Sequence, residues 1–196
     1  MTLVVALLLG LLGLVVVTAF VSLALTGRSL GQHLAAFVIV GVLGFVALVG
    51  VVGGGVTDPT SVPGRTILVD LFLVAVLGGS PVTATVLWLV DRGSSRPDSM
   101  DRAGEVLRGG AWIGAFERCA VFAAIIAGWP EGLAVVLALK GLGRYSELRG
   151  TPPGADGVAT SGGVAERFII GTFASVLWAC ACAGTHLALT GAAPLG

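Results

Sequence analysis

The stretch TLVVALLLGLLGLVVVTAFVSLAL, residues 2–25, contains no charged side chain. It is long enough to cross a bilayer as a helix, which needs about 20 apolar residues. A secretory signal peptide has a shorter apolar core, of about 7–15 residues, behind a positively charged region that this stretch lacks. We therefore predict a retained membrane-spanning helix at the N-terminus, and not a cleaved signal.

Five further apolar runs follow the first, and polar connections separate them. The sequence therefore predicts an all-α fold, a polytopic membrane helix bundle whose six transmembrane helices lie at about residues 2–25, 33–56, 66–90, 109–128, 131–147 and 164–190. We expect a single transmembrane domain over residues 1–196. An apolar packing half would occupy residues 1–90, and a charged half that carries the site would occupy residues 109–190.

The overall composition supports a membrane protein and excludes nucleic-acid binding. Hydrophobic residues make up 56% of the chain and charged residues 11%, against about 25% charged residues in soluble domains. Eleven basic and eleven acidic residues leave no net charge, so a basic surface for nucleic acid is not indicated. The three cysteines lie in apolar segments at spacings that favour neither a disulfide nor a metal site, and we expect no metal and no cofactor.

The distribution of arginine predicts the orientation in the membrane. Cytoplasmic loops carry the excess of Lys and Arg, and nearly all arginines near the helix ends fall on one side if the N-terminus is outside. Arg65 alone would then lie on the outer side. Both termini would be extracytoplasmic. Because Arg far outnumbers Lys among residues dominated by Gly, Ala, Val and Leu, we expect a bacterial chain located in the cytoplasmic (inner) membrane.

Glu117 and Arg118 stand together in GAWIGAFERCAVFAAI, residues 110–125, which is otherwise apolar. At 1.5 Å per residue they lie roughly 12–14 Å into the helix, close to the bilayer midplane. Neighbouring helical residues do not face each other, so each needs a partner on another helix. The next helix returns antiparallel after a turn at Trp129, and counting from that turn brings Lys140 to the depth of Glu117.

These residues belong to a predicted cluster of charges in the cytoplasmic half of the bundle. A charge at the bilayer centre costs about 2.5–3.5 kcal/mol on insertion scales, so the cluster needs either mutual pairing or a polar ligand. We expect its cations to bind an anion, such as a phosphate or a lipid headgroup, while its acids hold them in place. Four cations and three acids form the cluster, with a formal sum of +1: Glu117, Arg118, Lys140, Arg144, Glu147, Glu166 and Arg167.

Other polar residues in the spans suggest weaker hypotheses. Asp70 and His186 would each lie about 6 Å from the outer end of a helix and could pair there. His33 begins a predicted span at the cytoplasmic surface, where we expect an exposed interface residue. The tryptophans near helix ends are typical of the aromatic belts at membrane surfaces.

Three segments of the C-terminal half resemble an uncharacterised family of bacterial integral membrane proteins. The family carries G-x-W-I-G-x-x-E-R, K-x-x-x-R-F/Y-x-E and E-x-F/Y-x-I-G-T. Here these segments read GAWIGAFER at residues 110–118, KGLGRYSE at 140–147 and ERFIIGT at 166–172. The resemblance implies that the charged cluster matters, and it implies no particular activity.

The sequence leaves four functions open. The cluster could bind an anionic ligand, lipid headgroup or partner subunit, or its ion pairs could be purely structural in a subunit of a membrane complex. A proton- or ion-coupled transporter acting as an oligomer is a third reading. A metal-free lipid-headgroup transferase is the fourth, with Glu117 as base and with Lys140 and Arg144 as phosphate clamp. No H-E-x-x-H motif occurs, and we assign no catalytic residue.

Overall fold

The computed structural model describes residues 2–24, 29–91, 110–129, 131–149 and 158–192. Within these ranges the chain is helical apart from residues 54–61, 127–129 and 191–192, and none of it is a strand. The described helices are α1 (Thr2–Ala24), α2 (Ser29–Gly53), α3 (Val62–Asp91), α4 (Gly110–Ile126), α5 (Glu131–Arg149) and α6 (Val158–Thr190). The predicted all-α fold is confirmed for this part of the chain.

Three helical stretches are long and apolar enough to cross a membrane: Gly31–Gly53, Val62–Asp91 and Glu166–Thr190. A fourth stretch, Val4–Ala19 in α1, is apolar but shorter. Such helices are typical of membrane proteins, because a spanning helix satisfies all of its own backbone hydrogen bonds within the lipid. Three such helices do not establish that the chain crosses the membrane six times, and the six spans stay a prediction.

The centre of the bundle is α3, which packs against α1, α2, α4 and α6. Next to it, α6 also packs against α2 and α4, while α5 packs chiefly against α4. The core between the helices is apolar, and its fully buried large side chains include Leu12, Ile39, Val46, Ile67, Leu71, Val74 and Leu189. Side chains of α3 that face α4 and α6 are therefore enclosed on several sides.

A tight turn joins α4 to α5 and sets the register between them. Gly128 adopts a left-handed conformation with φ 68°, which glycine tolerates without strain. The backbone N–H of Gly128 donates to the carbonyl of Ile125 at 3.1 Å, and the N–H of Trp129 donates to that of Ala124 at 2.8 Å. This pair of bonds is the Schellman arrangement that ends many helices. The turn reverses the chain, so α5 runs back along α4.

The end of α2 lies against the end of α6 at close range. A Cβ atom at Gly50 would come within 2.9 Å of the backbone nitrogen of Leu189, so only glycine fits there. Beyond α2, the backbone N–H groups of Val56 and Thr57 donate to the carbonyl of Leu189 at 2.7 and 3.2 Å. These bonds satisfy a carbonyl that the end of α6 would otherwise leave free.

Candidate functional site

An ion pair joins α4 to α5. The Nζ atom of Lys140 lies 2.5 Å from Oε2 of Glu117, and the two side chains are 18% and 10% exposed. The same Nζ atom lies 5.6 Å from the ring centroid of Phe168 on α6, a distance at which a cation is attracted to the face of a ring. The prediction that the hairpin brings Lys140 to the level of Glu117 is confirmed.

The guanidinium of Arg118 occupies a different place, between α3 and α6. Its side chain is buried, with 4% exposed. Nε and Nη2 both donate to the carbonyl of Val76, at 3.1 and 2.8 Å. Nη2 also donates to Oγ of Ser80 at 3.3 Å, and Nη1 donates to Oγ of Ser175 at 3.2 Å. Four hydrogen bonds therefore hold a planar group that offers five N–H donors.

Two glycines make room for this arginine. A Cβ atom at Gly79 would collide with Cδ of Arg118, and one at Gly114 would lie 3.2 Å from its Nη1 atom. Gly79 belongs to α3 and Gly114 lies one turn before Arg118 on α4. A long side chain can therefore cross from α4 to the backbone of α3 because both helices lack side chains along its path.

None of the described carboxylates forms an ion pair with Arg118. The sequence predicted that its partner would be an acid or an anion, but within the described residues its partners are a backbone carbonyl and two hydroxyls. Arg118 also turns to α3, whereas Lys140 contacts Glu117 and Phe168. An anion held jointly by Arg118, Lys140 and Arg144 stays a prediction.

A second ion pair joins the end of α3 to α6. Nη2 of Arg167 donates to Oδ2 of Asp91, and the two side chains are 30% and 20% exposed. Asp91 follows the predicted span at residues 66–90 and was not among the residues of the predicted cluster. Adding Asp91 to the four cations and three acids of the predicted cluster changes its formal sum from +1 to zero. Asp91 follows one predicted span and Arg167 lies near the start of another on the same side of the bundle. That shared position could have indicated the ion pair.

The remaining members of the predicted cluster are not brought together by described contacts. Arg144 and Glu147 lie in α5, where the structure describes their backbone and not their side chains. Glu166 is exposed. The predicted cluster is thus observed in part, as one ion pair, one buried arginine and a second ion pair with an added acid.

The predicted contact between Asp70 and His186 is not formed. His186 is buried, with 5% exposed, and its Nδ1 atom has no hydrogen-bond partner among the described residues. Asp70 is half-buried on α3. The prediction was wrong because equal depth along two helices does not fix the direction in which each side chain points.

His33 is buried, so the prediction of an exposed residue was wrong. Its ring stacks on Trp88 of α3, with centroids 4.3 Å apart and an angle of 19° between the planes. Nδ1 lies 2.9 Å from Oγ1 of Thr85, whose hydroxyl in turn donates to the carbonyl of Pro81 at 2.8 Å. A hydroxyl has one proton to donate, so the tautomer with the proton on Nδ1 is the one that lets the imidazole donate to Thr85 while Thr85 donates to Pro81. The hydropathy of the sequence does not indicate that His33 contacts Trp88 and Thr85.

The described residues contain no group of three or more His, Cys, Asp or Glu side chains that could hold a metal ion. Comparison of the chain with protein-family models, curated proteins and solved structures found no match. The described residues thus form a helical bundle with three helices suited to a membrane and with charged side chains between its helices. The resemblance of three segments to a family of bacterial membrane proteins stays a prediction.

Proposed function

We propose that this chain is a structural subunit of a membrane assembly, and that its buried charges hold its own helices in register. The proposal rests on the five charges that the structure brings into contact between helices, because each of them has a partner inside the chain. Glu117 binds Lys140, and Asp91 binds Arg167. Arg118 is held by a carbonyl and two serines. Charged groups that already have partners gain little from binding a ligand. Loss of one partner would leave the other group uncompensated within the bundle.

The proposal includes the finer topology. All six described helices would span a bacterial inner membrane, with both termini on its outer side. The alternation is supported by contacts at both ends of the bundle. The connection after α2 bonds to the end of α6, and the end of α3 pairs with Arg167 of α6. These contacts place α3 and α6 antiparallel, as six alternating spans require.

The partners would be the lipid bilayer and either a second copy of the chain or other membrane subunits. Support comes from α5, which lies at the edge of the bundle and packs chiefly against α4. It leaves apolar side chains exposed, among them Val135, Leu137, Leu139 and Leu142. α5 also carries the small residues Ala134, Ala138 and Gly141 on its exposed surface, and small residues let membrane helices approach closely.

The assembly proposal is tested by the mass of the particle. The chain alone has a mass of 19.6 kDa. After extraction in a mild detergent and transfer to nanodiscs, native mass spectrometry should give a complex of two or more copies, or of this chain with a partner in fixed ratio. A monomer in both environments, at protein concentrations that match the native membrane, would contradict the proposal.

A second candidate function is the binding of an anion, such as inorganic phosphate or the headgroup of an anionic lipid. It is favoured by Arg118, whose positive charge is buried without a carboxylate partner in the described part of the chain. A ligand that binds only the folded state raises the unfolding temperature. Phosphate, and separately phosphatidylglycerol in nanodiscs, should then stabilise the protein.

Two variants make this second test specific. Arg118→Gln should remove the stabilisation by the anion, whereas Arg65→Gln should retain it because Arg65 lies exposed near the start of α3. Stabilisation by phosphatidylglycerol alone would identify the lipid as the source of the anion. If neither anion shifts the unfolding temperature of the unaltered protein, the second candidate fails and the structural function stands alone.

A further inference from the structure

The middle of α3 contains the run Gly78-Gly79-Ser80-Pro81, in a helix of 30 residues. Pro81 has no backbone N–H, so the carbonyl of Leu77 loses its helical donor, and the proline ring pushes against that turn. Glycines add backbone freedom within the same turn. Membrane helices tolerate such interruptions when neighbouring side chains satisfy the loosened backbone.

Side chains from two other helices bond to the backbone just before this interruption. Nε1 of Trp178 on α6 donates to the carbonyl of Val74 at 3.2 Å. Arg118 on α4 donates twice to the carbonyl of Val76, at 3.1 and 2.8 Å. A side-chain donor placed beside the backbone hydrogen bonds of a helix is one recognised cause of a bend, and proline and neighbouring Gly and Ser residues are others.

The two halves of α3 have different partners. In the first half, Ile67 and Leu71 are fully buried in the apolar core that α1 shares. In the second half, Thr85 bonds to His33 on α2, and Asp91 bonds to Arg167 on α6. α1 packs against the first half and His33 of α2 bonds to the second, while α6 contacts both halves through Trp178 and Arg167. The link between the halves is the turn at residues 78–81.

We propose that α3 is hinged at residues 78–81 and that Arg118 is the latch that holds its two halves in the observed arrangement. The guanidinium bonds to Val76 before the hinge and to Ser80 within it, and its stem lies over Gly79. It also bonds to Ser175, so the latch ties the hinge to α6. Release of these bonds would free the second half of α3 to tilt about Pro81.

Thr83 supports a second arrangement of this segment. Its Oγ1 atom is buried without a hydrogen-bond partner among the described residues. A buried hydroxyl in that state costs about 1–3 kcal/mol. A change of tilt after Pro81 would alter which acceptors Thr83 faces. This inference does not depend on the proposed role in an assembly.

Hydrogen exchange of the full chain in nanodiscs tests the hinge, because exchange reports local opening of a helix. The peptide covering residues 77–86 is compared in the unaltered protein, in Arg118→Gln, in Pro81→Ala and in the double variant. Release of the latch should raise exchange in this peptide by about tenfold or more in Arg118→Gln. In the Pro81→Ala background, where residue 81 regains its N–H, the same substitution should raise exchange by less than about threefold.

A matched control removes another buried cation. Lys140→Met should raise exchange in α4 and α5 and leave the peptide at residues 77–86 unchanged. The proposal is overturned if Arg118→Gln leaves that peptide unchanged, raises its exchange equally in both backgrounds, or raises exchange in all helices alike. If Arg118→Gln does not insert stably, Pro81→Ala alone decides: it should slow exchange at residues 77–86, and an unchanged rate there would overturn the hinge.

Discussion

At the scale of single residues, Glu117 and Arg118 are neighbours in sequence that contact different helices. A rotation of about 100° separates them on α4, so one carboxylate meets an ammonium on α5 and one guanidinium meets the backbone of α3. Arginine suits the second position because its planar group can serve several acceptors at once. Swapping the two residues, with Arg at position 117 and Glu at position 118, would leave both side chains without their partners.

Asp58 gives a prediction at this scale that is independent of the membrane. Its carboxylate accepts hydrogen bonds from the backbone N–H and the hydroxyl of Thr60, at 2.7 and 2.6 Å. These bonds, first of all the one from the hydroxyl, hold the pKa of Asp58 below its ordinary value. Carboxyl NMR should show titration below that value, and Thr60→Val should move it upward.

The sign of the linkage follows from the direction of this shift. A carboxyl whose pKa is lowered by folding stabilises the connection before α3 at pH values above its unfolded pKa. That contribution is lost as the pH falls through the lowered pKa in the folded protein. If Thr60→Val leaves the titration of Asp58 unchanged, the two hydrogen bonds do not have the assigned effect.

Part of the site could be predicted residue by residue and part could not. Counting from the turn at Trp129 was sufficient for Glu117 and Lys140, because a short hairpin fixes the register of its helices. Arg118 could not be assigned its partners, since every residue carries a carbonyl and none is marked in the sequence. Asp91 was missed because a charged residue at the edge of an apolar run looks like the start of a loop.

At the scale of the helices, the approach of α2 to α6 depends on Gly50. Gly50→Ala should destabilise the protein by about 1–3 kcal/mol, because the new methyl group meets the backbone of Ala188 and Leu189. Gly41 is the matched control, since it lies on the same helix and a Cβ atom there would have nothing within 4 Å. Gly41→Ala should be neutral or stabilise by up to about 1 kcal/mol. Equal effects in thermal unfolding would contradict the close contact.

The start of α3 gives a second prediction for a helix. Oγ of Ser61 accepts a hydrogen bond from the backbone N–H of Gly64 at 3.2 Å, which makes Ser61 the N-cap of a helix that begins at Val62. Ser61→Ala should therefore lower the free energy of unfolding by about 1 kcal/mol, and Ser61→Gly by only a few tenths. Denaturant unfolding in detergent measures both values, and a smaller loss for alanine than for glycine would refute the cap.

The helices themselves were the most predictable feature, because long apolar runs with few charges have few alternatives in lipid. Their rotation was less predictable. His33 was expected at the surface and lies against Trp88, and the contact considered for Asp70 and His186 is not formed. Spans that are apolar on all sides carry little amphipathic pattern to indicate which face is buried.

At the scale of the whole molecule, the proposed topology places the connection at residues 92–109 in the cytoplasm and the C-terminus outside. Reporter enzymes that fold only outside the cytoplasmic membrane should be active when fused after Gly196 and inactive when fused within that connection. The opposite pattern would invert the proposed orientation, and activity at both positions would reject an odd number of spans between them.

The charges inside the bundle stabilise it by binding partners within the chain, and the pair of Glu117 and Lys140 is the most buried ion pair in the described residues. A double-mutant cycle with Glu117→Gln and Lys140→Met tests it most directly, with unfolding free energies measured for the two single variants and the double variant. Each single variant should be destabilised by about 2–4 kcal/mol, since a broken buried pair leaves a partner unsatisfied. The double variant should be less destabilised than the sum of the two, with a coupling of at least about 1 kcal/mol. Additive effects, within about 0.5 kcal/mol, would contradict the claim.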